Sequence, residues 1–174
     1  VSTNYGVFYR KNGVFHGLLK NGKKVESAYF GLRKDKNGEL YCFDLEGEIF
    51  KIVGPQLISY AKANKKEISV YYMDMDFDDK NRLIFVSRNC LAFENGRWTK
   101  VYNSTQKSGF VSLRKSPLGV IRISLDSKDK IGVISNGKLK IESLKKINKS
   151  EKIDYFEIDN KELLISKDGN FNFD

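Results

Sequence analysis

The chain has 174 residues, enough for one domain with a buried core. Its hydrophobic content of 40% and aromatic content of 13% exclude an intrinsically disordered chain. The formal charge is +9, but lysines occur in every turn instead of converging in one run, so no nucleic-acid partner is predicted. Only two prolines are present, so the turns must use Gly, Asn and Asp, as tight β-hairpins do.

Short strands bounded by such turns follow one another from the N-terminus. The opening YRKNGVFHGLLKNGKKV has two Asn-Gly turns and predicts a first, partial unit. In FGLRKDKNGELYCFDLEGEIFKI, residues 30–52, an apolar run leads to Asp35, a turn with Gly38, an aromatic strand, a turn with Gly47 and another strand. Asn-Gly or Asp-Gly between short apolar runs is the strongest local hairpin signal.

The same order recurs further along the chain, in residues 77–98, 121–141 and 155–173. Aligned aspartates, Asp35, Asp78 and Asp126, lie about 45 residues apart, the period of a four-stranded β-propeller blade. The repeat predicts an all-β β-propeller of about four blades, as a fragment of a larger propeller. The blade-like units are predicted at 1–27, 28–67, 68–115, 116–153 and 154–174. Unrelated hairpins in a β-sandwich are the alternative.

We therefore expect at least three antiparallel sheets of three or four strands. The turns are predicted at Asn37-Gly38, Asn95-Gly96 and Asn136-Gly137. The segment PQLISYAKANKK, residues 55–66, also fits a short helix, because its apolar residues are compatible with either period.

Two stretches resemble blades of the two-component regulator propellers, the periplasmic sensor regions of hybrid and LytS-like sensor histidine kinases. They are YFGLRKDKNGELYCFDLEGEIFKI and YMDMDFDDKNRLIFVSRNCLAFENGRW, and the resemblance covers residues 28–103. The matching positions are Asp35, Gly38, Leu40, Tyr41, Asp78, Leu83 and Phe85. The chain departs from the family pattern because the strand Trp is missing from every unit and Asn81 replaces a Gly.

The resemblance implies a non-catalytic, extracytoplasmic ligand-sensing module, periplasmic or extracellular, with an oligosaccharide as ligand and no cofactor. Such sensors resemble seven-bladed propellers, so the chain is expected to meet further blades or a second chain and to form a homo-oligomer. No membrane contact is expected within these residues. A structural or protein-interaction propeller is the alternative function, and a carbohydrate-active enzyme is a third hypothesis.

The candidate site rests on strand alternation. If the first strand of each unit is the innermost, apolar residues such as Phe30 and Leu32 share one face and polar residues share the other. Mixed-sign polar groups that converge on an axis orient a small polar ligand. The predicted ligand-binding residues are Arg33, Asp74, Asp76, Arg122 and Tyr155. The alternative is that these side chains pair across blades or face water.

Other candidate motifs predict no chemistry. In DMDFDD, residues 74–79, alternate aspartates share a face, but the glycine and glutamate of an EF-hand loop are missing, so no metal is predicted. His16 has no nucleophile elbow to accompany it and is interpreted as a strand residue. Cys42 and Cys90 lack zinc-site spacing, and a bridge between them stays open. Trp98 is interpreted as a packing residue, with a ligand platform as the alternative.

Overall fold

The computed structural model describes residues 1–3, 6–25, 27–69, 73–102, 112–115, 120–124, 130–143, 153–158, 161–166 and 171–173. Within these ranges the chain forms strands and turns but no α-helix, so the all-β prediction is confirmed. The segment 55–66 is mainly strand, from Gln56 to Lys62, and one 3-10 helix, Lys65–Glu67, begins near its end. No helix of the described ranges is long and apolar enough to cross a membrane.

The strands form five sheets in chain order. The first sheet contains β1 (Ser2–Thr3), β2 (Gly6–Lys11) and β3 (Val14–Gly17). The second contains β4 (Leu19–Lys20), β5 (Lys23–Lys24), β6 (Tyr29–Lys34), β7 (Leu40–Asp44), β8 (Glu48–Val53) and β9 (Gln56–Lys62). Its spatial order is β5-β4-β9-β8-β7-β6, so an antiparallel four-stranded blade is extended at β9 by the β4–β5 hairpin.

The remaining sheets keep the order of the chain. The third contains β10 (Asp74–Phe77), β11 (Leu83–Val86), β12 (Cys90–Glu94) and β13 (Arg97–Tyr102). The fourth contains β14 (Ser112–Lys115), β15 (Ile121–Ser124), β16 (Lys130–Ser135) and β17 (Lys138–Ser143). The fifth contains β18 (Ile153–Ile158), β19 (Lys161–Ser166) and β20 (Phe171–Phe173). All three predicted Asn-Gly pairs lie between consecutive strands of one sheet.

The first four sheets are arranged with their first strands side by side. β1 contacts β6, β6 contacts β10, and β10 contacts β14. Successive four-stranded sheets that meet along their first strands have the geometry of β-propeller blades around an axis. The first strand of each of these sheets is therefore the innermost.

Hydrophobic layers between neighbouring sheets hold the blades together. Phe43 of the second sheet and Phe85 of the third pack edge to face, with ring centroids 5.7 Å apart. On the other face of the third sheet, Ile84 packs in a layer with Leu113 and Ile123 of the fourth. All four side chains of β11 are buried, because this strand has a neighbouring sheet on each face.

The recurring aspartate organises the loop after each innermost strand of the second and third sheets. Asp35 accepts hydrogen bonds through Oδ1 from the backbone N–H groups of Asn37 and Glu39, both at 2.9 Å. Its carbonyl also accepts from the N–H of Gly38, whose φ is 84°. An aspartate that binds the following backbone in this way stabilises a tight turn without help from distant residues.

The loop after β10 repeats this geometry. Asp78 Oδ1 accepts from the N–H groups of Lys80 and Arg82, at 3.0 and 2.9 Å. Asn81 occupies the fourth position with a φ of 62°. Asparagine tolerates this left-handed conformation better than other residues with a side chain, which is why it can replace the glycine of the repeat.

The fourth sheet differs from the sequence alignment. The alignment on Asp126 placed Arg122 on an innermost strand, but β14 precedes it and contacts β10, so Arg122 lies on the second strand, β15. The physical reason is that Leu113 of β14 packs into the hydrophobic layer shared with the third sheet. β14 lies wholly within the unit predicted at 68–115, although it belongs to the fourth sheet. Asp126 lies outside the described residues.

Candidate functional site

Charged side chains from three consecutive innermost strands meet beside one another. We call them the inner-strand cluster, and its members are Arg33 of β6, Asp74 and Asp76 of β10, and Arg114 and Lys115 of β14. The cluster brings together groups from three sheets, which makes it the candidate site.

Arg33 joins the two aspartates. Its Nη2 lies 2.9 Å from Asp74 Oδ1, and its Nε lies 3.3 Å from Asp76 Oδ2. The remaining terminal nitrogen, Nη1, donates to the carbonyl of Leu32 at 3.2 Å. A guanidinium that presents several donors in a fixed plane suits such a bridge, so Arg33 fixes the relative position of both carboxylates.

A β-bulge aims Arg33 at the aspartates. The pairing of β6 with β7 shifts register between Phe30 and Arg33, and Gly31 in the bulge has a φ of 59°. A Cβ on Gly31 would lie 2.2 Å from Cε1 of Phe43, so no side chain fits there. Bulges re-aim side chains. Alternation had placed Phe30 and Arg33 on opposite faces, and the bulge breaks that alternation.

Asp74 is the central acceptor of the cluster. Besides Arg33, its Oδ1 accepts from the backbone N–H of Met75 at 2.8 Å. Its Oδ2 accepts from the N–H of Leu113 at 3.4 Å and lies 3.6 Å from Nη1 of Arg114. One carboxylate therefore ties the innermost strands of three sheets together.

Asp76 is more buried than Asp74, and neighbouring cations compensate its negative charge less completely. Burial raises the pKa of this carboxyl, against the lowering effects of a hydrogen bond from the Phe77 N–H at 2.7 Å and of the charges on Lys115 and Arg33. Lys115 Nζ lies 3.8 Å from Asp76 Oδ1, beyond hydrogen-bond distance. Desolvation therefore outweighs the hydrogen bond and the two cations that favour the ionised form.

The structure brings together three of the five predicted site residues, namely Arg33, Asp74 and Asp76. Arg122 lies directly opposite Arg114 in the β14–β15 pairing, one strand further from the axis. Tyr155 lies on β18, and its side chain is outside the description. Ligand binding by these residues stays a prediction.

Sequence analysis missed Arg114 and Lys115. They stand in SLRK, a short strand without the aspartate that follows the innermost strands of the second and third sheets. The only available signal was the sequence Leu113-Arg114-Lys115, an apolar residue followed by two bases, which is too common to identify a site.

The other candidate residues, Trp98 and His16, have packing partners within their own part of the fold. Trp98 donates from Nε1 to the carbonyl of Lys62 at 2.9 Å and packs against Phe93, with ring centroids 5.0 Å apart. His16 stacks on Tyr9 at 5.3 Å. Among the residues that the structure describes, no group of three or more His, Cys, Asp or Glu is arranged to hold a metal ion.

The two cysteines are free thiols. Cys42 and Cys90 are fully buried in different sheets, and burial raises the pKa of each thiol to about 12. The question of a bridge is thereby answered, because neither sulfur is paired. Thiols that ionise only at high pH are poor nucleophiles, and these two act as small apolar core residues.

No protein-family model matches the chain, and no curated protein matches it in sequence. Solved structures do match in fold. The extracellular domain of a putative one-component system from B. thetaiotaomicron matches 99% of the chain with a TM-score of 0.68 at 11% identity. The extracellular domain of a putative hybrid two-component system from B. thetaiotaomicron also matches 99% of the chain, with a TM-score of 0.66 at 11% identity.

Virginiamycin B lyase from Staphylococcus aureus matches 95% of the chain with a TM-score of 0.61 at 19% identity. The chain spans 60% of the lyase and 27% and 28% of the two extracellular domains. At such identities the likeness concerns the fold. The sheet arrangement and these neighbours together identify the chain as a β-propeller segment.

Proposed function

We propose that the chain is part of the ligand-binding region of an extracytoplasmic sensor of the two-component type, and that it recognises a saccharide without transforming it. The inner-strand cluster carries this proposal, because side chains of both signs from three sheets converge beside the axis. The shared fold with the extracellular domain of a putative hybrid two-component system supports the choice of a sensor located outside the cytoplasm.

The chemistry of the cluster suits a polar ligand. Aspartate oxygens accept hydrogen bonds from sugar hydroxyls, and arginine and lysine nitrogens donate to ring and hydroxyl oxygens. The aspartates are already held in place, so binding would not have to order them, and a preformed site costs less free energy to occupy. These groups would orient a saccharide at the axis.

The position of Arg33 supports binding over catalysis. A glycosidase needs two carboxyl groups with room between them for a water molecule or for the sugar itself. Here the guanidinium of Arg33 contacts both Asp74 and Asp76, at 2.9 and 3.3 Å, and fills that space. We therefore propose a module that binds and releases its ligand unchanged.

The test is calorimetric titration of the complete natural protein that carries these residues with a panel of neutral and acidic oligosaccharides. We expect at least one to bind, and Arg33→Ala to weaken it by about tenfold or more, which corresponds to about 1.4 kcal/mol. Arg97→Ala is the matched control, because Arg97 is exposed on the outer strand β13, and its affinity should stay within about twofold of wild type.

Chromatography of the titrated mixtures completes the test. Recovery of the unchanged oligosaccharide is expected, whereas a hydrolysis or elimination product would replace the sensor proposal with an enzyme. Failure of every oligosaccharide to bind would refute saccharide recognition.

A protein-interaction module is the second candidate, and an exposed strand favours it. Val14 and Phe15 of β3 are each 58% exposed, and β3 has no further strand beside it within the described part of the first sheet. Apolar residues on an open sheet edge are typical of surfaces that pair with another chain.

A further inference from the structure

The inner-strand cluster carries an excess of positive charge. Three cations, Arg33, Arg114 and Lys115, face two carboxylates, so one positive charge is not matched among the residues that the structure describes. Partly buried charges are stabilised best when each has a counter-ion. The cluster is therefore short of one negative charge.

The three cations are not equally engaged. Arg33 donates hydrogen bonds to Asp74 and to a backbone carbonyl, and it forms an ion pair with Asp76 at 3.3 Å. Arg114 donates from Nη1 to the carbonyl of Leu113 at 3.0 Å. Arg114 and Lys115 approach Asp74 and Asp76 only to 3.6 and 3.8 Å, too far for hydrogen bonds. Their side chains are 47% and 25% exposed. Arg33 holds the aspartates in place, whereas the two bases on β14 retain donors that can reach a ligand.

The neighbouring strand places a second arginine beside Arg114. Arg122 lies directly opposite it across β14 and β15, so both side chains leave the same face of the sheet. Like charges in this relation repel one another. Arg122 has an interaction of its own and is not needed as a ligand group.

We propose that the saccharide recognised at this site carries an acidic group, a carboxylate or a sulfate ester, held by Arg114 and Lys115. This inference rests on the proposed function and narrows its ligand to uronic-acid-containing or sulfated saccharides. Arg114 is the specificity-determining residue because a guanidinium can bind either group through two parallel hydrogen bonds. Asp74 and Asp76 serve the hydroxyl groups of the same ligand.

The experiment compares three probes on the complete natural protein by calorimetric titration. They are trigalacturonic acid, the neutral galactotriose of the same linkage, and a sulfated galactose disaccharide. We expect at least one acidic probe to bind about tenfold or more tightly than galactotriose. The acidic probe that binds identifies the carboxylate or the sulfate ester as the recognised group. Its affinity should fall as ionic strength rises, since Arg114 is half exposed and screened by salt.

Variants separate specificity from general binding. Arg114→Gln should weaken the acidic probe by about tenfold or more, or about 1.4 kcal/mol, and should weaken galactotriose by several-fold less. Arg97→Gln on β13 is the matched loss of one surface charge and should change neither. Thermal unfolding of each variant establishes that it is folded at the titration temperature.

Two outcomes would overturn the inference in different ways. If galactotriose binds as tightly as both acidic probes, or if Arg114→Gln affects neutral and acidic probes equally, the acidic-ligand inference fails and saccharide sensing stands. If none of the three probes binds, the inference fails, and the oligosaccharide panel described above decides whether the proposed function fails with it.

Discussion

Asn81 and Asp35 join two successive blades through their loops. Asn81 Nδ2 donates to Asp35 Oδ2 at 3.3 Å, and Asn81 Oδ1 accepts from the backbone N–H of Lys36 at 2.9 Å. The asparagine that departs from the glycine of the repeat thus adds a contact between blades that glycine could not make. The backbone conformation of Asn81 and its contact with the neighbouring blade contribute separately to stability, and substitutions can measure each contribution.

Asn81→Gly keeps the backbone conformation but removes both hydrogen bonds, so we expect a loss of about 1 kcal/mol in the free energy of unfolding. Asn81→Ala also forces a less tolerant residue to a φ of 62°, for a total loss of about 2 kcal/mol. Urea denaturation measures both. Asn95→Gly is the control, because Asn95 has a φ of 51° on an exposed turn, and it should cost less than about 0.5 kcal/mol. Equal effects of Asn81→Gly and Asn95→Gly would show that the contact between blades contributes nothing.

Gly31 and Gly54 form a matched pair for the bulge in β6. Their φ angles are 59° and 55°, but a Cβ on Gly31 would overlap the Phe43 ring, whereas nothing lies within 4 Å of one on Gly54. Gly54→Ala should cost about 1 kcal/mol from backbone strain alone. Gly31→Ala should cost about 1–3 kcal/mol more because of overpacking. Urea denaturation of the two variants under the same conditions measures the difference. A difference close to zero would contradict the packing described at the bulge.

Asp76 makes the stability of the fold depend on pH. Its folded-state pKa lies above the unfolded value, so its ionised form destabilises the fold, and this effect disappears as pH falls below the unfolded pKa. As pH is lowered from 7 to about 4, the free energy of unfolding of wild type should therefore rise relative to that of Asp76→Asn. Denaturant unfolding of both proteins at the two pH values measures it.

Glu67→Gln is the control for Asp76→Asn, because the pH dependence of stability expected at Glu67 has the opposite sign. Burial acts to raise the pKa of Glu67, but hydrogen bonds from Asn89 and Lys100 outweigh it and lower the pKa. The stabilisation by Glu67 is therefore complete above the unfolded pKa and lost as pH falls through the folded pKa. As pH is lowered over the same interval, the free energy of unfolding of wild type should fall relative to that of Glu67→Gln. If the difference in stability from wild type changed in the same direction for both variants, the opposite pKa shifts of Asp76 and Glu67 would be refuted.

The buried thiols should be unreactive in the folded protein. With pKa values of about 12, Cys42 and Cys90 present almost no thiolate near neutral pH. Ellman's reagent should detect neither thiol in the native chain within minutes and both in denaturant. Rapid reaction of the native protein would contradict the burial, and the absence of thiols in denaturant would indicate a disulfide.

The isolated chain of 174 residues should associate. Blades at the ends of an incomplete ring lack a neighbour on one face, and the apolar residues left there favour self-association. Sedimentation velocity at micromolar concentration should show dimers or larger species. Phe15→Lys, at a side chain that is 58% exposed on β3, should shift them toward monomer. A stable monomer across this concentration range would argue against an open arc of blades.

The loops of the repeat could be predicted because their chemistry is local. Asp35 and Asp78 bind backbone groups within four residues of themselves, and Asn95-Gly96 turns the chain without distant contacts. Such turns, together with short apolar runs, depend on φ preferences and on side chains close in sequence. The blade order and the all-β class follow from these features.

The composition of the site was decided by packing between sheets. Arg114 reaches Asp74 from a strand some 40 residues away in sequence, and the innermost position of that strand depends on Leu113 packing against the third sheet. The direction of Arg33 depends on a bulge at Gly31 that the Phe43 ring leaves no room to fill. Sequence by itself determined the turns and strands because these follow from interactions along the chain. Tertiary structure alone decided which charges meet, since a bulge or an added strand changes every facing partner without changing the local pattern.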